Sequence, residues 1–252
     1  MKMHTLGRTG ISVSRICLGT MTFGHQNTEA EGHQQMDMAA EHGVNFFDSA
    51  EMYPFPANPK TYGRTDEIVG TWLAARGQRD KIVVATKIAG PGARFEHIRG
   101  GSLKFDRTHL IQAVDDSLAR LRTDYIDLYQ THWPERPANY FGKLGYNHDA
   151  NAEWTPFEEM LDVMAEIEKA GKVRAFGISN ETPWGLMELM KLSESKGLPR
   201  MASIQNPYSL INRTFEVGLA EAAIRSVCGL LAYSPLGFGA LTGKYLDGAL
   251  PE

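Results

Sequence analysis

The 252-residue chain has only two cysteines, Cys17 and Cys228, and neither lies in a CxxC pair or a Cys/His cluster. A disulfide framework or a structural zinc site therefore has little support, and both cysteines, set in apolar strand-like runs, read as reduced core residues. Long apolar runs are missing as well. Stretches such as Ile82–Ala85 are strand-sized, and Met1–Thr5 lacks the apolar core of a signal peptide, so a cytoplasmic protein with no membrane partner is expected. Positive charge is not in excess: 26 Lys+Arg against 30 Asp+Glu leave a formal net charge of −4 and no basic stripe. Such a surface has little with which to neutralise phosphates, which argues against a nucleic-acid or anionic-membrane partner. The G-x-G-x-x-G fingerprint is also absent after the first strand-like run. Gly19-Thr-Met-Thr-Phe-Gly24 stands there instead, which counts against a Rossmann sheet.

What the chain does have is alternation. An opening β-hairpin is expected, Met3–Leu6 against Ile11–Ser14 with Gly7 and Gly10 around the turn. Short apolar runs then alternate with segments of helical period. The runs are Ile16–Gly19, Val44–Asp48, Ile82–Thr86, Tyr125–Gln130, Val173–Ile178, Ala202–Gln205 and Leu230–Tyr233. They are apolar at successive positions, as strands covered on both faces are. Two capping boxes, Thr28 with Glu31 and Thr155 with Glu158, mark helix starts, and Pro156 and Pro183 suit first helical positions. Gly43, Gly77, Gly171 and Gly197 mark helix ends. In the third helix Leu110, Val114, Leu118 and Leu121 form the covered stripe, with Asp115, Asp116 and Arg120 expected to turn away.

Strict βαβα order leaves an open doubly wound sheet or a closed barrel. Polar residues follow the ends of several different strands: Asp48, Lys87, His132, Ser179–Asn180, Gln205–Asn206 and Tyr233–Ser234. A barrel gathers all such positions around one mouth, so the expected fold class is α/β, a (β/α)8 TIM barrel with an N-terminal hairpin. About seven β/α units can be counted where closure needs eight. The expectation is one barrel domain over residues 1–252, truncated after the seventh unit, with unpaired edges on its first and seventh strands.

The polar residues of that mouth suit carbonyl reduction. Hydride delivered to a carbonyl carbon makes the oxygen alkoxide-like, so the site needs a proton donor and a group that favours negative charge. A tyrosine serves if an adjacent ammonium lowers its pKa from about 10. Lys87 can supply the ammonium, Asp48 can hold it charged and oriented, Tyr53 follows in the loop, and His132 can donate to the substrate oxygen. Each alone has a plainer role: a turn or cap for Asp48, a solvated cation for Lys87, a histidine under a loop for His132. Together at one rim they point to shared catalysis.

These stretches resemble the aldo-keto reductase superfamily, and within it the bacterial Tas-type branch. The likeness is carried by Leu18–Gly24, Gly43–Tyr53, Ala85–Lys87, Asp124–His132, Gly171–Asn180, Ile204–Ser209 and Ala232–Gly237. It implies a tetrad of Asp48, Tyr53, Lys87 and His132 with Tyr53 as general acid, and an NADPH (NADP+) site across the mouth. By that likeness Tyr233 stacks on the nicotinamide while Ser179, Asn180 and Gln205 bind its carboxamide, and Gly19, Thr20 and Met21 also line the cofactor. The segment Ser234–Lys244, with Ser234, Leu236, Gly237 and Lys244, has the small residues and cation that suit a pyrophosphate. Trp133 and Phe55 are expected in the substrate pocket. The chain departs from the family where Tyr53 is followed by Pro-Phe-Pro and a long loop to Gly63, and that loop is expected to reshape the pocket.

Two other functions stay open at this point. Lys87 could form a Schiff base in a lyase-like barrel, although a carboxylate partner at Asp48 would keep the amine protonated. The chain could also be a cofactor-binding partner subunit resembling potassium-channel β subunits, although all four tetrad members are retained. The small-molecule substrate is expected to be a carbonyl compound; its identity and the number of subunits are not written in the sequence.

Overall fold

The computed structural model describes residues 1–248. Strands β1 (Met3–Thr5) and β2 (Ser12–Ser14) pair antiparallel as the expected hairpin. Seven further strands make one parallel sheet: β3 (Cys17–Gly19), β4 (Phe46–Asp48), β5 (Val83–Ile88), β6 (Leu128–Thr131), β7 (Phe176–Ser179), β8 (Met201–Pro207) and β9 (Gly229–Tyr233). A helix fills every crossover: α1 (Glu29–Glu41), α2 (Arg64–Arg76), α3 (Arg107–Leu121), α4 (Phe157–Lys169), α5 (Pro183–Lys196) and α6 (Phe215–Arg225). Spatial order follows chain order from β3 to β9. That is the wall of a (β/α) barrel; a doubly wound sheet reverses its order at a switch point.

The apolar runs are buried on both faces because each face meets a different partner. Outward residues such as Phe47, Val84, Tyr129, Phe176 and Ile204 join one large cluster with the helices. Inward residues Phe46, Val83, Ala85, Leu128, Ala175 and Ala202 join another, and there they meet Leu6, Ile11 and Val13 of the hairpin. The hairpin therefore closes the N-terminal end of the barrel. Its turn presses so close that a Cβ on Gly7 (φ 52°) would lie 2.6 Å from the Ala202 carbonyl oxygen, a place and conformation that glycine alone accepts without strain. The helices pack comparably tightly. At Gly70 of α2 a Cβ would overlap the Arg120 carbonyl oxygen and come within 2.7 Å of the Leu121 backbone.

Several local signals are realised. Thr28 and Glu31 form a reciprocal capping box on α1, an arrangement worth about 1 kcal/mol. Pro183 begins α5 behind a Thr182 cap, and Gly43, Gly77, Gly171 and Gly197 all take positive φ at helix ends. Others are overruled. The Thr155–Glu158 box does not form: α4 starts at Phe157 with Pro156 at its cap. The Thr155 amide and hydroxyl instead donate to Glu135 Oε1 at 2.9 and 3.2 Å, and Glu158 pairs with Lys196. Arg120, expected to face away, turns in toward Asp66 (3.6 Å) and the Tyr62 ring (5.2 Å), because a buried carboxylate needs a cation nearby. Cys17 and Cys228 are both free. None of the described helices is long and apolar enough to cross a membrane.

Candidate active site

Strand parity builds the site. In a parallel sheet, directly paired residues share a face and every second residue returns to it. Phe46 and Ala85 belong to the inner cluster, so Asp48, paired with Ala85, and Lys87, two residues beyond it, also point inward. Lys87 pairs with Gln130 and Gln130 with Gly177; two residues on from these stand His132 and Ser179. Ser179 pairs with Gln205, Gln205 with Leu231, and Tyr233 follows two later. Gly19 pairs with Asp48 on the other side. One rule thus brings residues from β3 to β9 to a single inner rim, above the hairpin that fills the opposite end.

At this rim the Lys87 side chain has no solvent exposure, and its Nζ donates to Asp48 Oδ2 at 2.6 Å and to the Ser49 carbonyl at 2.7 Å. Gln130, which the sequence reading did not single out, donates from Nε2 to Asp48 Oδ1 at 3.0 Å. Its place two residues before His132, on the same face of the chain, is the signal that could have found it. Tyr53 enters from the loop after β4: its hydroxyl lies 3.4 Å from His132 Nε2, and the Lys87 ammonium is 5.2 Å from its ring centroid. All four expected catalytic residues are therefore together. The Tyr53–His132 pair is buried, with the rings edge to face at 5.4 Å.

The electrostatics differ from the sequence expectation in one respect. Burial pushes the Tyr53 phenol up from 10.0; the Lys87 ammonium pulls it down, but Asp48 opposes that pull. The sequence points to a lowered phenol, yet desolvation outweighs the cation because the cation is already paired. Lys87 is raised from 10.5 although burial works against its charge, since Asp48 and then Tyr53 favour the ammonium. His132 is held well below 6.5, first by burial and then by Lys87, so it is neutral at pH 7. Its Nδ1 is buried and has no hydrogen-bond partner among the described residues.

The expected cofactor residues fall into three groups. Ser179, Asn180, Gln205 and Tyr233 lie next to the tetrad, but three of them are engaged. Ser179 Oγ donates to the Gln205 carbonyl (2.8 Å), Asn180 Nδ2 donates to the His132 carbonyl (2.8 Å), and the Tyr233 hydroxyl donates to Asn180 Oδ1 (2.7 Å). Burial raises Tyr233 to about 12. Thr20 spends its hydroxyl and amide on the Asp48 carbonyl at 2.9 and 3.0 Å, which makes it a brace for β4. Gly19 faces open space, with nothing within 4 Å of a Cβ built there, and Met21 is exposed. In the Ser234–Lys244 loop the amides of Gly237, Gly239, Ala240, Leu241 and Thr242 bond to the loop's own carbonyls. Ser234 and Leu236 supply two of those acceptors, while Lys244 crosses Gly239, whose Cβ would lie 3.0 Å from its Cε.

Trp133 is buried beside His132 (4.9 Å between centroids), between Phe95 (5.1 Å) and Phe141 (6.0 Å), and its Nε1 donates to the Pro91 carbonyl at 3.0 Å. Phe55 is half exposed and its amide donates to the Met21 carbonyl at 3.0 Å. A second polar pair the sequence did not reveal lies past β6 and β7. Arg136 forks onto Glu181 at 2.9 and 2.5 Å and stacks on Trp184, with 4.8 Å to the ring centroid. Neither residue lies on a strand, so parity gives no signal for them.

Residues 15–252 match the profile of the Aldo/keto reductase family. The chain is 50% identical over 251 residues to "Protein tas" of Escherichia coli (strain K12), spanning 100% of this chain and 72% of that protein. It is 37% identical over 251 residues to "Uncharacterized oxidoreductase YrpG" of Bacillus subtilis (strain 168), with 98% and 70% covered. It is 32% identical over 251 residues to "Aldo-keto reductase YhdN" of the same organism, with 98% and 66% covered.

Proposed function

Because this chain belongs to the Aldo/keto reductase family and is an NAD(P)H-dependent oxidoreductase, we propose that it is a cytoplasmic enzyme reducing aldehydes or ketones to alcohols with NADPH, Tyr53 acting as general acid. The observation that carries this reading is the placing of the Tyr53 hydroxyl 3.4 Å from His132 Nε2 and its ring 5.2 Å from the Lys87 ammonium.

A neutral phenol is the right starting state for a proton donor, and burial keeps Tyr53 in that state. As negative charge grows on the substrate oxygen, Tyr53 gives up its proton and the nearby ammonium favours the phenolate left behind. Lys87 serves this role only while charged. Asp48 keeps it so, and Gln130, on the other carboxylate oxygen, holds Asp48 in register. His132 is neutral and can offer an Nε2–H to the same oxygen, fixing the approach of the carbonyl. The paired and raised Lys87 is a poor Schiff-base nucleophile.

The residues fit a nicotinamide dinucleotide. When bound, the reduced nicotinamide supplies the hydride to the carbonyl carbon. The Gln205 side chain makes no hydrogen bond within the described protein and is free for a carboxamide, Tyr233 supplies an aromatic face, and Gly19 leaves room at the rim. Asn180 lies beside them, its amide on the His132 carbonyl and its oxygen accepting from the Tyr233 hydroxyl. Lys244 supplies positive charge for the pyrophosphate.

The test is Tyr53→Phe, followed through oxidation of NADPH by a panel of reactive aldehydes and through cofactor binding by fluorescence. Loss of a general acid lowers the rate by roughly 10²–10⁴-fold and leaves the cofactor dissociation constant near its parental value. Reduction at the parental rate would show that the acid is misassigned.

A further inference from the structure

Residues 92–104 form part of the wall around Tyr53: Ile98 and Leu103 are buried in one apolar cluster with Met52, Tyr53 and Trp133. The backbone of this segment bonds to itself, Phe95 to Gly92, Ile98 to Phe95 and Gly101 to Ile98. Among the described residues a single hydrogen bond or ion pair ties it to the rest of the protein, the Arg99 guanidinium on the Glu51 carboxylate. Glu51 stands two residues before Tyr53 and is wholly buried. Its Oε1 accepts from the Ala89 amide at 2.6 Å, its own amide donates to the Lys87 carbonyl at 3.1 Å, and the Tyr62 hydroxyl donates to Oε2 at 3.3 Å. One carboxylate thus joins the loop of Tyr53, the strand end of Lys87 and the wall segment.

The arrangement is unfavourable taken alone. Both charges are out of water, Arg99 holds a positive φ of 45°, and its Nε and Nη2 are buried with no partner among the described residues. A well-packed apolar pair would hold a wall with less loss, so the polar tie is better explained by its directionality. We propose that Glu51 and Arg99 are positioning residues for the general acid. Glu51 fixes the Tyr53 loop to the end of β5 through the Ala89 amide and the Lys87 carbonyl, and its ion pair with Arg99 holds Ile98 and Leu103 in the apolar cluster around the tyrosine, so that the hydroxyl keeps its place beside His132. This rests on the reading of Tyr53 as the acid.

Arg99→Met removes the tie, and Arg99→Lys keeps its charge, and with it a folded protein, while losing the planar reach. Misplacement of a reacting group by about 1 Å lowers the rate by on the order of 10²-fold. Arg99→Met is expected to lower kcat by that order and Arg99→Lys by less, with KM for NADPH unchanged. Combining each substitution with Tyr53→Phe is expected to add no further loss to the residual rate, because the positioning acts through the hydroxyl already removed. An equal proportional loss with and without Tyr53→Phe would show a merely structural role and overturn the proposal. If Arg99→Met does not fold, the same comparison with Arg99→Lys decides. Parental rates for the Arg99 variants beside an inactive Tyr53→Phe variant overturn this inference alone, whereas a fully active Tyr53→Phe variant overturns the assigned acid and the positioning together.

Discussion

Replacing His132 by glutamine should flatten the acid side of the protein's stability curve. In the folded protein His132 is held well below 6.5, by burial and then by Lys87, whereas in the unfolded chain it titrates near about 6.5. Below that pH the unfolded chain binds a proton that the native state refuses, so the contribution of this group is present above about 6.5 and is lost as pH falls toward the folded value. One such proton corresponds to about 1.4 kcal/mol for each pH unit. For a chain of this size that is a fall in Tm of roughly 3–6 °C per unit. The assay is thermal or urea unfolding between pH 7 and pH 5 for the parent and for His132→Gln, reading the difference in slope so that any constant offset from the substitution cancels. Parallel curves over that interval would mean that the imidazole is solvated or paired in the folded state, and the account of a neutral, desolvated histidine beside Tyr53 would fail.

Two further outcomes follow from the same contacts. Asp48→Asn removes the negative charge beside the buried Lys87 and leaves one acceptor oxygen where Lys87 and Gln130 now donate to two; breaking a buried pair in this way should cost about 3–5 kcal/mol, measured by urea unfolding, and carbonyl reduction should fall by about 10²-fold or more as the amine loses its charge. A variant with parental stability and rate would contradict the role given to the carboxylate. Gly70→Ala should destabilise by about 2 kcal/mol, since a Cβ that meets backbone puts overpacking at the upper end of roughly 1–3 kcal/mol and the helix gain of about 1 kcal/mol offsets only part of it; an unchanged denaturation midpoint would show that α2 and α3 can separate freely.

The strands and their rim were legible because two simple signals agree there. Runs such as Ile82–Ala85 are apolar at every position, and polar residues near the run ends, Asp48 and Lys87 for instance, fall on the inner face by parity. Hairpin, helix ends and the Thr28 cap were legible for the same local reasons. What could not be read depends on partners far away in the chain. Thr155 carries a correct capping signal, but Glu135, 20 positions earlier, takes it. Arg120 lies on the outer side of its helix stripe, yet the buried Asp66 draws it in. Glu51 and Arg99 are 48 positions apart, and no periodicity links them. The Tyr53 phenol was misjudged in direction because the sequence names the neighbouring cation and cannot state how much water the site excludes.

The alternation that gathers the rim also limits how such a site can change. Deleting one residue within β5 would swing Lys87 out among the helices and bring Thr86 or Ile88 to the inside, so the lysine is lost outright rather than shifted. Deleting two would keep its side of the wall and lower it by one layer. Loops beyond the strand ends, including the long one after Tyr53, carry no such even-or-odd rule. Change can therefore accumulate in those loops while Asp48, Lys87 and Gln130 on the strands remain locked in step.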